Sequence, residues 1–347
     1  MGLHVAVLGT GGWARVHLAA LAASPHVEAT TLVGRNQQRL AELKAEFPSI
    51  RNCYVDPQAA MDDRTIDVVN IVLPHDLHAK YSQAALAAGK HVICEKPGAT
   101  SLADFDAILA AAAKANRRLL IVMNQLYNNV NQCLRDAVEA GAIGRPFLSV
   151  ENSYRDASEN YRRTEYWRNS PGRSGGGVLI DGGFHMVYRH LHTLGKWGVP
   201  EWVLADTPQL NVHGDGSHEP AKAEDFVSMI VGCEQGLRIQ LAHGWTLAAT
   251  PARSRQSFLA GSEATLELTD AAEEPLVLRH ADRAEAWPVP KGLRTGPETT
   301  HACLLDYFEA IATGREVTVA PQALARTTLA VILAAYAAGR SGTRKAI

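Results

Sequence analysis

The sequence predicts an α/β protein in two domains. Residues 1–124 read as a doubly wound, mostly parallel sheet, and residues 125–347 as a second α/β domain on a large, mainly antiparallel open sheet. Three observations carry this. Strand and helix patterns alternate through the first 123 residues, the pattern of parallel strands joined by helical crossovers. Beyond them the period shortens to alternating strands with tight connectors. The length of 347 residues allows two separate cores.

Composition narrows the classes. Hydrophobic residues at 46% and charged residues at 20% are ordinary for a globular chain. A formal net charge of -2 without a long basic run gives no reason to expect a nucleic-acid partner. The five cysteines (53, 94, 133, 233 and 303) are scattered, odd in number and without metal-ligand spacing. No basic region precedes the first apolar run and no span reads as membrane-crossing, so a reducing cytoplasm is the expected compartment.

In chain order, Leu3–Leu8 reads as a strand that runs into Gly9-Thr10-Gly11-Gly12-Trp13-Ala14 and a helix to about Ala23. This GxGxxA pattern between strand and helix is a dinucleotide (Rossmann) signature. Gly9 makes the tight turn, Gly11 admits the pyrophosphate and Ala14 lets the helix pack on the strand, with Gly12 and Trp13 also expected to bind the cofactor. The pyrophosphate would sit on the N–H groups at the helix start.

The second strand, Ala29–Val33, ends in Gly34-Arg35. An NAD-binding fold usually offers Asp or Glu here, about twenty residues past the turn. Its absence, the room at Gly34 and the guanidinium groups of Arg35 and Arg39 favour NADP(H) over NAD(H). Arg35 lying over adenine would suit either cofactor.

A helix over 37–47 is followed by a variable stretch to Asp63, then a central strand over 67–73. Pro74, His75 and His78 follow it and are expected to border the nicotinamide, with His78 opening a helix that Gly89 closes. The next strand, His91–Cys94, ends in Glu95-Lys96-Pro97, where a lysine can reach a cofactor's reacting end. Ser101 caps a helix to about Ala115, and Leu119–Met123 is the last strand of the domain. The amide run Asn124–Asn129 after it suits a polyol.

The second domain reads as a helix over 130–140, strands over 146–154, 226–232, 237–245, 254–260, 264–269 and 276–279, a polar loop over 213–222, and closing helices over 299–313 and 321–339 that can pack back on the first domain. One sheet face lacks a cover within the chain, which predicts a symmetric partner. Between strands, Ser174-Gly175-Gly176-Gly177 leads to a helix beginning near Leu179 or Ile180, with Asp181 and His185 on one face. A carboxylate and an imidazole so placed suit removal of a secondary alcohol's proton while its hydride leaves. A zinc pair would need a third ligand that the spacing does not supply. Tyr154, Arg155, Trp167, Arg168 and Arg173 are candidates for substrate contact, through aromatic packing on a sugar ring or guanidinium bonds to hydroxyls or a carboxylate.

The glycine turn, Glu95-Lys96-Pro97 and the glycine stretch leading to Asp181 and His185 together resemble the glucose–fructose oxidoreductase and inositol dehydrogenase (Gfo/Idh/MocA) family over nearly the whole chain. The resemblance implies a Rossmann domain followed by an α/β domain whose open sheet forms dimers or tetramers. It also implies redox chemistry on sugars, cyclitols and polyols. Lys96 becomes the motif lysine near nicotinamide and substrate, Asp181 its partner carboxylate and His185 the proton carrier, with Lys96 an alternative carrier. Ala14 replaces the usual last glycine, and Gly182-Gly183 stand where the family often has bulkier residues, which would widen the pocket. Two rivals remain: a tightly held dinucleotide used for transient oxidation in glycoside cleavage or elimination, and a non-catalytic dinucleotide sensor.

Overall fold

Val5 to Leu8 are sealed from solvent without alternation, as are Val68, Val69 and Ile71, so these strands are covered on both faces. The structure, a computed structural model, describes residues 2–155, 166–210, 223–246, 254–269, 275–292 and 295–347. Strands β1 (Leu3–Leu8), β2 (Val27–Val33), β3 (Ile50–Tyr54), β4 (Val68–Ile71), β5 (His91–Glu95) and β6 (Leu119–Val122) form one parallel sheet ordered β3-β2-β1-β4-β5-β6. The order reverses between β1 and β4, which makes the carboxyl ends of those strands the ligand crevice of such a sheet. Helices α1 (Gly12–Ala23), α2 (Gln37–Glu46), α3 (Pro57–Asp62), α4 (His78–Ala87) and α5 (Leu102–Ala115) provide the crossovers.

Sequence reading passed over β3 and α3. The edge strand β3 buries only Ile50 fully and shows no apolar alternation. The cue for α3 was present, an Asp56 N-cap whose carboxylate accepts from Gln58 N, with Pro57 in the first turn.

Helix α6 (Asn129–Glu139) opens the second unit. Its nine-stranded sheet is ordered β14-β13-β12-β11-β7-β10-β9-β8-β15, in which β7 (Pro146–Tyr154) and β10 (Arg238–Gly244) are parallel and the other pairs antiparallel. The remaining strands are β8 (Pro200–Asp206), β9 (Phe226–Cys233), β11 (Ser254–Gly261), β12 (Thr265–Leu268), β13 (Leu276–Arg279), β14 (Ala284–Ala286) and β15 (Lys345–Ala346). β8 escaped the sequence reading because Trp202 and Leu204 on its outer face are as apolar as Val203 and Ala205 on its inner face. Helix α7 (Phe184–Leu194) follows β7, and α8 (Gly296–Thr313) and α9 (Gln322–Ser341) close the chain. α8 begins earlier than predicted because Thr295 and Glu298 form a reciprocal capping box. The polar loop predicted over 213–222 lies outside the described residues.

The contacts divide the chain into Met1–Tyr127 with Leu293–Ala325, and Asn128–Gly292 with Arg326–Ile347. Within the first unit Tyr307 on α8 donates to Ile121 O at 2.7 Å, and Asn124 Nδ2 donates to Thr300 Oγ1 at 2.8 Å. Asn128 caps α6 by accepting from Val130 N, and Asn129 Nδ2 donates to the carbonyls of Pro290, Lys291 and Gly292. These amides, expected to meet a polyol, hold the fold. α9 is the one helix among the described residues long and apolar enough by composition to cross a membrane, and it buries Leu329, Val331, Ile332, Ala335 and Ala338 in the protein.

Candidate active site

In the first unit the site begins where β1 stops. Gly9 has φ +122, and a Cβ there would collide with Val72 O beyond β4, so only glycine lets the two loops meet. A Cβ on Gly11 or Gly12 would meet nothing within 4 Å. Open space therefore faces the start of α1, which has no side-chain cap and no acidic residue in its first turn. That is a fit for a pyrophosphate. Ala14 is fully buried.

Trp13 Nε1 donates to Glu95 Oε1 at 3.1 Å, and the buried His17 reaches the same oxygen through Nε2 at 3.0 Å. The other ring nitrogen of His17 bonds the Asn70 amide at the end of β4, so the first helix, β4 and β5 are tied at one point. Burial alone would raise the Glu95 carboxyl. The hydrogen bond and charge of His17, with the charges of Lys96 and His78, override it and hold the group below its ordinary value. Lys96, 7% exposed, follows at a cis peptide to Pro97. His75 and His78 are buried with ring centroids 5.5 Å apart, and His78 Nε2 donates to Leu73 O at 2.8 Å, fixing the loop that includes Pro74.

At the end of β2 the geometry differs from the expected 2'-phosphate site. A Cβ on Gly34 would lie 2.5 Å from Thr10 Cγ2, so this glycine serves packing against the first loop rather than leaving room for phosphate. Arg39 donates through Nε to Thr10 O at 3.3 Å and through Nη1 to Glu42 Oε2 at 3.0 Å. Its charge is already met by a carboxylate, and Arg35 is exposed.

In the second unit, the glycine stretch enters a π-helical turn, Leu179–Gly183, before α7 begins at Phe184. Single π-turns of this kind recur at functional sites. Asp181 is 9% exposed and accepts from Arg168 Nε at Oδ2, 2.7 Å away. Arg168 also donates to Tyr166 Oη at 3.0 Å and lies 4.3 Å from the Trp167 ring centre, so one guanidinium gathers a carboxylate and two aromatic rings. His185 Nδ1 bonds the Tyr188 hydroxyl at 2.7 Å. The sequence-predicted pair thus has partners that sequence reading did not name: Arg168 for Asp181 and Tyr188 for His185.

Gly182 does not widen a pocket. A Cβ there would collide with His243 Nε2 and lie 3.1 Å from Trp245 Nε1. Trp245 Nε1 donates to His243 Nε2 at 3.0 Å, so the His243 proton sits on Nδ1, which donates to Ser153 O at 2.7 Å. Burial, helped by nearby Arg155, outweighs that bond and lowers the His243 pKa to about 4. Arg155 lies 5.0 Å over the Trp245 ring, and Tyr154 stacks on Phe226 with centroids 6.1 Å apart. Arg173 is exposed on the one-turn helix Pro171–Ser174. His190 bonds Glu151 Oε2 at 3.0 Å and Ser149 Oγ at 2.7 Å. Among the described residues no group of three or more His, Cys, Asp or Glu could hold a metal ion.

Residues 3–123 match the oxidoreductase family GFO_IDH_MocA, described as an NAD-binding Rossmann fold, and residues 131–267 match the GFO/IDH/MocA C-terminal domain. The chain is 27% identical to levoglucosan dehydrogenase of Pseudarthrobacter phenanthrenivorans over 91% of this chain and 90% of that protein. It is 25% identical to D-apiose dehydrogenase of Paraburkholderia graminis over 97% of this chain and 88% of that protein. A solved structure of levoglucosan dehydrogenase in complex with NADH superposes with a TM-score of 0.87, at 22% identity, over 100% of this chain and 99% of that one, which shows a shared fold. That structure and its ternary complex with levoglucosan hold NADH, and this overturns the expectation of NADP(H). The physical reason lies at Gly34, filled from the other side by Thr10, and at Arg39, paired with Glu42.

Proposed function

The chain belongs to the Gfo/Idh/MocA oxidoreductase family, and on that premise we propose that it is an NAD(H)-dependent dehydrogenase acting on a secondary alcohol of a sugar, cyclitol or related polyol. The observation that carries the substrate class is the span of the likeness to two sugar dehydrogenases, which runs through both units.

The first unit holds the dinucleotide on Gly9, Gly11 and Gly12, with Trp13 and Glu95 bracing the start of α1. Bound nicotinamide supplies the hydride acceptor or donor. His185 removes the hydroxyl proton through Nε2, with its Nδ1 held in a 2.7 Å hydrogen bond to Tyr188 Oη that orients the ring. Asp181, held by its hydrogen bond from Arg168, orients the hydroxyl and steadies the imidazolium as it forms. Lys96, buried at the carboxyl end of β5, is the motif lysine at the dinucleotide's reacting end and opposes negative charge that builds up there. Tyr154, Arg155, Trp167 and Arg173 supply the wider substrate contacts, and the reducing cytoplasm suits the five free cysteines.

The test is reduction of NAD+, followed at 340 nm, with levoglucosan, D-apiose and myo-inositol as the first panel. Turnover that disappears in His185→Ala and Lys96→Ala, while NAD+ still binds, is the expected result. A protein that binds NAD+ tightly and cleaves a glycoside with no net NADH would replace this reading with transient oxidation.

We also propose a homo-oligomer formed through the outer face of the nine-stranded sheet. On β8 and β9 the inner face buries Val203, Val227, Met229 and Val231, while Leu204 and its register partner Ile230 stay exposed at 42% and 38%. Light scattering that reports a monomer would remove this.

A further inference from the structure

The turn that carries Asp181 begins with four consecutive backbone N–H groups that no earlier turn of helix can satisfy. Gly177 N donates to Glu224 Oε2 at 2.7 Å, Val178 N to Glu224 O at 3.0 Å, and Leu179 N to Glu224 Oε1 at 3.1 Å. Ile180 N donates to Tyr336 Oη at 3.2 Å, and the Tyr336 hydroxyl in turn donates to Glu224 Oε1 at 2.6 Å. The first ordinary helical bond, Asp181 N to Gly177 O at 3.2 Å, follows directly. The four amides of 177–180 are therefore taken by one glutamate, beside the start of β9, and one tyrosine on α9.

The glycines are there for this arrangement. A Cβ on Gly177 would collide with the Glu224 carbonyl, and one on Gly176, where φ is +155, with the Tyr336 hydroxyl. A negative group at the start of a helix is also favoured by the helix dipole. Burial raises the Glu224 carboxyl, and the hydrogen bonds from Tyr336, Leu179 and Gly177 act against that rise.

We propose that Glu224, backed by Tyr336, is the positioning residue of the active site: it sets the 177–180 backbone and through it the placement of Asp181 and His185. This rests on the dehydrogenase reading above for its catalytic consequence, but not for its structural one. Glu224 touches neither substrate nor cofactor in this role. Removing it should move kcat and leave dinucleotide binding alone.

The experiment compares the full chain with Glu224→Ala, Glu224→Gln and Tyr336→Phe by hydrogen–deuterium exchange, NAD+ titration and NAD+ reduction on the sugar panel. In Glu224→Ala the amides of 177–180 should exchange at least tenfold faster and kcat should fall at least tenfold, with KM and Kd for NAD+ within twofold. Glu224→Gln keeps one acceptor oxygen and should recover part of both losses. Tyr336→Phe should expose chiefly Ile180 N. If Glu224→Ala does not fold, the other two variants carry the comparison. Parent-like protection of 177–180 overturns the proposal, and so does unchanged kcat or a loss matched by weaker NAD+ binding. A parent protein inert on the panel sinks the dehydrogenase reading instead, and exchange alone then judges Glu224.

Discussion

Arg168 Nε donates to Asp181 Oδ2 at 2.7 Å, with both side chains largely shielded from water. The pair joins a residue of the short 3-10 helix Trp167–Asn169 to a residue of the π-turn thirteen positions later, and it fixes where the Asp181 carboxylate points. Arg168→Ala should lower kcat by roughly tenfold or more, because a charge-assisted bond to a shielded carboxylate is worth about 1.5–3 kcal/mol. Arg168→Lys should recover only part, since a point charge does not reproduce the bond while also packing on Trp167. Steady-state kinetics at saturating NAD+ checks this, and an unchanged kcat in Arg168→Ala would remove the role given to the pair.

Tyr188 is expected to orient the His185 ring. Tyr188→Phe keeps the ring that packs edge-on against Phe184 and removes only the hydroxyl that bonds His185 Nδ1. Turnover should drop roughly tenfold and the pH–rate profile should move, with KM for NAD+ unaltered. A profile that overlays the parent's would show that something else orients the ring.

Gly182→Ala probes the wall under the π-turn. The added methyl meets His243 and Trp245, both hydrogen-bonded and buried, so neither can yield cheaply. Overpacking of this kind costs about 1–3 kcal/mol, visible as a lowered Tm. Gly172→Ala, where a Cβ meets nothing within 4 Å, is the control and should leave Tm close to the parent's.

His243 gives a pH signature. Its pKa falls from 6.5 to about 4 in the fold, so between these values the unfolded chain binds the proton that the folded one refuses. Its contribution is present above pH 6.5 and is lost as pH falls through about 4. Urea midpoints at pH 7, 5.5 and 4.5 should decline in the parent and decline less in His243→Gln. Equal slopes would assign the acid sensitivity to other groups.

Much of the first unit was legible because its signals are local. A strand, a glycine turn and a helix fall within Leu3–Ala23, and Glu95-Lys96-Pro97 closes a single apolar strand. The cofactor preference failed on a signal that was also local: Arg39 and Glu42 stand one helical turn apart, and that spacing alone could have warned that the guanidinium was taken. His243 gave no such warning, being one residue of a buried strand with nothing nearby in sequence to mark it.

The sequence by itself determined where the glycine turn, the lysine and the Asp181–His185 pair occur, because helix and strand periods and turn chemistry act over a few residues. Only the tertiary structure decided what each of them touches. Glu224 and Tyr336 reach the 177–180 amides from 47 and 156 residues away, and Trp13 meets Glu95 across 82. Those partners are chosen by which unpaired donors and acceptors the packed chain brings together, and buried polar groups must find one another wherever the chain has placed them.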